Sequence, residues 1–292
     1  MKPALFIPIV AMAVFFHSPA PLHAGSAGGQ PPQKVVSLGP VITEMIYLLK
    51  AEERLSGVTS YCRIPPGRAE KEIIGTVMQM NVEKIVHLEP DLVIANTLTR
   101  KKQVRILEKQ KVKVITLDTP KNFDDICANF ARLGNLVGKK ARAEKIIQRA
   151  RRAVAAVREK SRHLDRPRVF IQIGLKPLKT SPADTFIHEY IAFAGGVNIA
   201  EGVREGVYSR EKVLRENPDV ILIATMGSSK TAGLKEKEAW QRFSFLKAVK
   251  NRAVYVLDPD IVCSPTPETF ARGLSVFFRR LHPGETKEAS HG

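Results

Sequence analysis

Two Glu-Lys pairs, Glu83-Lys84 and Glu211-Lys212, carry the spacing that says most about chemistry. In each copy a Pro-Asp begins seven residues after the Glu (Pro90-Asp91 and Pro218-Asp219), and a Val/Ile/Leu run follows. The two copies stand 128 residues apart. One acid in a helix's first turn is favoured by the dipole alone; the same acid in two equivalent places suits a two-fold partner. Other constellations are incomplete. The three cysteines, Cys62, Cys127 and Cys263, include no CxxC and allow at most one bridge, so spacing gives no support to a thiolate metal site. Cys127 reads as a buried helix position, while Cys62 and Cys263 sit in loop-like contexts and can pair or stay free. His188-Glu189 opens like a zinc-protease helix, but Ala192 stands where the second His belongs. No GxGxxG follows either first strand, no GxSxG elbow occurs, and Gly134 to Lys140 is one residue short of a phosphate loop. No catalytic or metal-ligating residue is therefore assigned.

These residues need an α/β framework to position them. Lys34 to Leu38 is a short β-type run, and Thr43 to Leu49 has helical spacing with Thr43 as N-cap. Asn81 to Val86 leads through Pro90-Asp91 into the buried run Leu92 to Ala95; Gln103 to Gln110 is helical and Lys113 to Asp118 is a strand. The second half repeats the order, with strand Arg168 to Ile173, helix Phe186 to Ala194, a helical turn over Ser209 to Leu214, and strands Val220 to Ile223 and Ala253 to Asp258. Strands alternating with helices predict parallel sheets, and the repeat predicts two lobes. Between them 138–164 is almost free of breakers, and Ile146, Ala150, Val154 and Val157 make one apolar stripe. About 25 residues of helix is roughly 37 Å. The expected fold class is α/β, with two Rossmann-like lobes over 34–137 and 165–284 joined by one long rigid helix, and a disordered tail over 285–292.

The chain has 292 residues and a formal charge of +17. Taken alone, that charge points to nucleic acid, acidic lipid or another anionic partner. Twelve basic and three acidic residues lie between Lys139 and Arg168, so +9 belongs to the connecting helix and its exit. That placement favours a solvated helix face, drawn weakly to acidic lipid surfaces, and disfavours nucleic acid. At the N-terminus Lys2, the apolar stretch Ala4 to Phe16 and the small residue Ala24 have the parts of a secretory signal over 1–24, followed by a flexible leader over 25–33. The apolar stretch is shorter than the ~18 to 20 residues that span a bilayer. No Cys lies near the cleavage point, so an exported chain with neither lipid anchor nor transmembrane helix is expected.

Together, KVVSLGPVITEMIYLL (Lys34 to Leu49), GVTSYCRIPP (Gly57 to Pro66), MNVEKIVHLEPDLVIA (Met80 to Ala95), the long helix and YSREKVLRENPDVILI (Tyr208 to Ile223) resemble the periplasmic binding proteins of ABC importers. The class is the helical-backbone one that carries vitamin B12, iron-siderophores and haem. The likeness runs from Lys34 to near Pro283 and rests on the order and spacing of these segments. It implies a monomeric, periplasmic solute-binding protein, not an enzyme, with its ligand cleft between the lobes. It also implies that Glu83 and Glu211 dock onto the permease dimer of the inner membrane.

Finer likeness bears on the ligand. Tyr61 matches an aromatic that packs on the corrin ring in vitamin B12 binders. Val77, Asn96 and Glu205 replace their tryptophans, and Ile173 and Ser264 replace an aromatic and a basic cleft residue. Ile64 falls where haem binders place an axial tyrosine, and Arg63 and Lys176 are the cations open to an anionic ferric siderophore. The implied lining is Tyr61, Cys62, Met78, Asn96, Lys176, Met226, Asp260 and Ile261. Its methionines offer adaptable apolar contact, and a large, mostly apolar chelate suits it. The resemblance therefore favours a cobalt corrinoid as cargo over an iron chelate such as a ferric siderophore or haem, with no resident cofactor. A secreted, chelatase-like enzyme is the alternative of another class; it would rely on Tyr61, Cys62 and Asp260, which form no recognisable acid–base pair.

Overall fold

A computed structural model of the chain describes residues 30–225 and 230–285. The signal segment, most of the leader, Met226 and nearly all of the expected tail lie outside the described residues. The first half runs β1 (Val35–Ser37), α1 (Pro40–Leu48), β2 (Leu55–Val58), β3 (Glu72–Ile73), α2 (Val82–His87), β4 (Leu92–Asn96), α3 (Lys101–Lys109), β5 (Val114–Leu117) and α4 (Phe123–Leu136). Helix α5 (Lys140–Ser161) leads to β6 (Arg168–Gln172), α6 (Phe186–Phe193), β7 (Val197–Asn198), α7 (Arg210–Glu216), β8 (Val220–Ile223), α8 (Lys230–Gln241), α9 (Lys247–Lys250), β9 (Val254–Val256), α10 (Pro259–Val262) and α11 (Pro267–Leu281). The strands pair in parallel into one five-stranded sheet, β3-β2-β1-β4-β5, and one four-stranded sheet, β7-β6-β8-β9. This is the expected pair of α/β lobes.

Helices cover both faces of each sheet, which is why the strands read as unbroken apolar runs. Val35 packs with Ile42, Ile46 and Phe130 on one face, and its neighbour Val36 packs with Ile85 and Leu107 on the other. The repeated Pro-Asp has a structural task. Asp91 Oδ2 accepts from the backbone N–H groups of Gln33 (2.6 Å) and Lys34 (2.8 Å), and Asp219 Oδ2 accepts from that of Arg168 (2.9 Å). Each Asp thereby ties the entry of an inner strand to the entry of its lobe's first strand. Those N–H donors, Lys34 foremost, hold the Asp91 carboxyl below its ordinary range.

Helix α1 begins earlier than its spacing predicts. Pro40 occupies the first turn and Gly39 is the N-cap, so Thr43 lies one turn inside the helix. Proline's fixed φ suits that first position, and Thr43 is buried with Oγ1 2.8 Å from Ser37 Oγ.

Helix α5 has 22 residues, about 33 Å at 1.5 Å per residue. It buries Ala143, Ile146, Ala150 and Val154. Its approach to α4 is close enough that a Cβ on Gly134 would fall 2.5 Å from that of Ala143. The join between the halves is wider than this helix. Phe123, Ile126 and Cys127 of α4 share one core with Val169 and Ile171 of β6, Tyr190 of α6, and Phe270 and Phe277 of α11. Within it Phe123 stacks on Phe270 at 4.6 Å, Phe270 on Tyr190 at 4.4 Å, and Tyr190 on Phe277 at 4.8 Å. Glu189 accepts the N–H of Phe123 at 2.6 Å, capping α4 from the opposite lobe.

The cysteines are free thiols; Cys127 is buried and the other two are partly so. Burial pushes Cys127 up to about 11 and Cys263 up to about 12. Among the described residues, no helix is long and apolar enough to cross a membrane.

Candidate functional site

Parallel strands all end on one side of a sheet, so the loops leaving their carboxyl ends gather there and form the natural ligand crevice. The residues singled out from sequence fall on such loops. Tyr61 and Cys62 follow β2, Met78 follows β3, and Asn96 ends β4; Lys176 follows β6, and Asp260 and Ile261 lie in α10 after β9. Met226, after β8, lies outside the described residues. The loop holding Tyr61 and Cys62 meets the other lobe through an ion pair between Arg63 and Asp260. Lys176 is exposed, and no described hydrogen bond or ion pair ties its side chain to the others.

The loop after β2 is fixed by its cysteine. The Cys62 N–H donates to Thr59 O at 2.9 Å, and its Sγ lies 3.1 Å from both Thr43 Oγ1 and Thr59 Oγ1. With Cys62 packed against the N-terminal core beside Ile64, Tyr61 is left outward and 69% exposed. Asn96 likewise builds a turn: its Oδ1 accepts the N–H of Leu98 at 3.0 Å, and Leu98 stands 67% exposed. Met78 is 50% exposed. The carboxyl edge of the first sheet therefore presents three large apolar side chains, one of which, Leu98, sequence reasoning missed. Its signal was available as a lone Leu among the polar residues Asn96, Thr97 and Thr99.

Beneath the Arg63–Asp260 pair lies a carboxyl that sequence reasoning also missed. Glu44 sits half-buried on α1, and desolvation raises it to about 7. Arg272 and Arg63 pull it down, while Asp260 and Glu268 push it up. Burial dominates because these charges largely offset one another. The clue in the sequence was a single acid inside the otherwise apolar helix TEMIYLL.

The two paired acids sit alike. Asn81 caps α2 by accepting the N–H of Lys84 at 2.9 Å, and Ser209 caps α7 by accepting that of Lys212 at 3.1 Å. Each cap places its glutamate, Glu83 or Glu211, in an exposed first turn. Hydrogen bonds from its own backbone N–H and from Ser209 hold Glu211 below the usual carboxylate range. Neither Glu83 nor Glu211 is in an ion pair among the described residues, whereas Lys84 pairs with Glu72 and Lys212 lies over the Tyr208 ring. A groove of about 400 Å³ lined by Glu72, Glu83, Lys84, His87 and Leu88 runs beside α2. In the second lobe, Glu236 accepts from Arg210 (2.8 Å) and from Gln172 (3.0 Å), and Gln172 accepts from Trp240 (2.8 Å). That partly buried network fixes the start of α7 to the carboxyl end of β6.

A family model described as periplasmic binding protein matches residues 35–261. An uncharacterized ABC transporter substrate-binding lipoprotein, YvrC of Bacillus subtilis, is 27% identical over 265 residues, 88% of this chain and 82% of the relative. Among solved structures, the periplasmic vitamin B12 binding protein BtuF of Vibrio cholerae superposes with a TM-score of 0.74 at 26% identity, covering 88% of this chain and 99% of that one. The periplasmic heme-binding protein BhuT, in complex with two hemes, has the same fold with a TM-score of 0.74 at 20% identity, covering 87% and 98%.

Proposed function

The chain belongs to the periplasmic binding protein family, and from that premise we propose that it captures a corrinoid between its lobes and delivers it to an ABC permease. The observation that carries the ligand assignment is the exposure of Tyr61, Met78 and Leu98 along the carboxyl edge of the first sheet. Large apolar groups left in water at a strand-end crevice favour a broad, largely apolar ligand. Arg63, the cation best placed for an anionic ferric chelate, already faces Asp260, which weakens the siderophore reading. Likeness to the vitamin B12 binding protein of Vibrio cholerae supports the same choice. Membership of the periplasmic binding protein family supports a location in the periplasm. The lipoprotein relative leaves the form of membrane attachment to the N-terminal residues, which lie outside the described ones.

The assignment is tested by titrating purified protein with cobalamin, cobinamide, haem and a ferric siderophore, read by absorption and calorimetry. Stoichiometric, reversible binding of a corrinoid is expected, weakened roughly tenfold or more by Tyr61→Ala as one aromatic contact is lost. Preference for haem or siderophore overturns the ligand, and metal insertion or removal with turnover overturns the transport role.

Docking is assigned to Glu83 and Glu211. Both lie on helices that begin at the carboxyl edges, on the side of the cleft. Exposed ion pairs contribute about 0 to 1 kcal/mol each, so the pair orients the complex more than it binds it. Glu83→Ala with Glu211→Ala is expected to slow uptake by about tenfold, if each pair is worth somewhat under 1 kcal/mol, with ligand affinity unchanged. Full transport by the double variant removes the docking role.

A further inference from the structure

The first lobe carries a surface that the docking carboxylates do not use and that meets the proposed ligand edge only at Leu98. Between Arg100 and Lys113 seven of fourteen residues are basic and only Glu108 is acidic, a net +6. Arg100, Lys101, Lys102, Arg105 and Lys109 lie on or beside α3, and Lys111 and Lys113 lie in the turn to β5. All seven are exposed, and none is in an ion pair among the described residues. The long helix differs. Six of the twelve cations between Lys139 and Arg168 are paired: Lys139 with Glu53, Lys140 with Glu144, Arg149 with Glu268, Arg151 with Asp124, Arg162 with Glu159 and Arg168 with Glu216. Unpaired cations are therefore densest on α3 and its flanks, seven in fourteen residues against six in the thirty from Lys139 to Arg168.

Apolar groups stand within it. Leu98 is 67% exposed and Ile106 36% exposed, and Ile106 shares a helix face with Lys102 and Lys109, four residues before it and three after. No aromatic residue occurs from Leu98 to Lys113, so a stacking platform for nucleic-acid bases is missing. Cations surrounding aliphatic side chains are instead suited to the headgroup layer of an anionic bilayer. The position agrees. Helix α3 starts at the carboxyl edge of the sheet, as α2 does, and Leu107 of α3 and Ile85 of α2 share one core. Arg100 to Lys102 thus lie on the same side of the lobe as Glu83.

We propose that α3 and its flanks form a contact surface for anionic phospholipid headgroups, holding the protein on the membrane beside its permease. The orientation rests on the docking reading above; the lipid affinity does not. The test is cosedimentation of the purified protein with phosphatidylcholine vesicles, with and without phosphatidylglycerol, at low salt and at about 0.15 M salt. Binding that requires phosphatidylglycerol and weakens with salt is expected. Each cation near the surface is worth about fivefold in partitioning. Lys101→Glu, Lys102→Glu and Arg105→Glu together should then lower binding by at least roughly tenfold. Lys145→Glu, Arg152→Glu and Lys160→Glu on α5, an equal change in charge, should lower it far less. Three results overturn the proposal: no dependence on phosphatidylglycerol, equal loss in both triple variants, or binding of a DNA duplex through the same three residues without vesicle binding. Circular dichroism verifies that each variant is folded. The vesicles contain no permease, so a docking pair that proves dispensable for uptake removes only the orientation.

Discussion

Phe270→Ala lowers the stability of the chain by about 3 to 5 kcal/mol, the range for truncating a fully buried phenylalanine. The side chain is completely buried and lies between Phe123 and Tyr190, with ring centroids 4.6 and 4.4 Å away. Its removal loses the transferred apolar area, opens a cavity, takes the stacked ring from Phe123 and leaves Tyr190 stacked on Phe277 alone. The surroundings have little freedom to collapse. Thr266 and Thr269 lock the start of α11 in a reciprocal capping box, and a Cβ on Gly273 would already come within 3.0 Å of Tyr190. Because Phe123 belongs to one lobe and Tyr190 to the other, the loss should shift the entire unfolding curve. Urea denaturation followed by circular dichroism and by intrinsic fluorescence checks this. Coincident curves at a lower midpoint are expected; a change under 1 kcal/mol, or one transition splitting into two, would contradict a core shared between lobes.

The second large effect depends on pH. Glu44 has its carboxyl raised from 4.5 to about 7, chiefly by burial. Between those values the folded chain keeps a proton that the unfolded chain has released, so stability from this group is fully present below pH 4.5. It declines as pH rises and is lost as pH passes 7. The shift corresponds to about 3 kcal/mol at most, and partial access to solvent brings the expected figure to about 2 kcal/mol. Glu44→Gln keeps the shape without the titration. Relative to the parent it should gain about 2 kcal/mol between pH 4.5 and 8. Urea midpoints for both proteins across that range measure the gain. Parallel profiles would mean that the carboxyl ionises in the fold as freely as in the unfolded chain. Arg63 and Asp260 face the same carboxyl, so ligand affinity measured alongside reports whether its charge reaches the cleft.

Local features were the legible ones. Asn81 and Ser209 announce helix starts by their own side chains, and the two Pro-Asp pairs announce a repeated strand because their spacing recurs. The partners of Asp91 and Asp219 were hidden, since Lys34 and Arg168 are 57 and 51 residues away. Thr43 misled because Pro40, three residues earlier, takes the start of the helix by its fixed φ. Glu44 could be seen as an acid among apolar neighbours, but its environment is set by Asp260, Glu268 and Arg272, supplied by the far end of the chain. The net charge misled in a related way. Counting placed most of it on α5 and its exit, yet four of those twelve cations meet acids brought to them by folding, Glu53, Asp124, Glu216 and Glu268. Periodicity reports which face of an element is buried; it carries no information on which distant charge arrives there.

The core shared by α4, α5, α6 and α11 has a kinetic consequence. A hinge protein advertises that it is loaded by closing, and its partner can reject the open form. Here the aromatic stack and the cap from Glu189 run through the join. If Glu83 and Glu211 dock as proposed, that join is expected to hold them at nearly one separation with the cleft filled or empty. Empty and loaded molecules would then compete for the proposed permease on almost equal terms. Uptake would follow the fraction of molecules that carry cargo rather than their number, and making more protein than there is ligand would slow import.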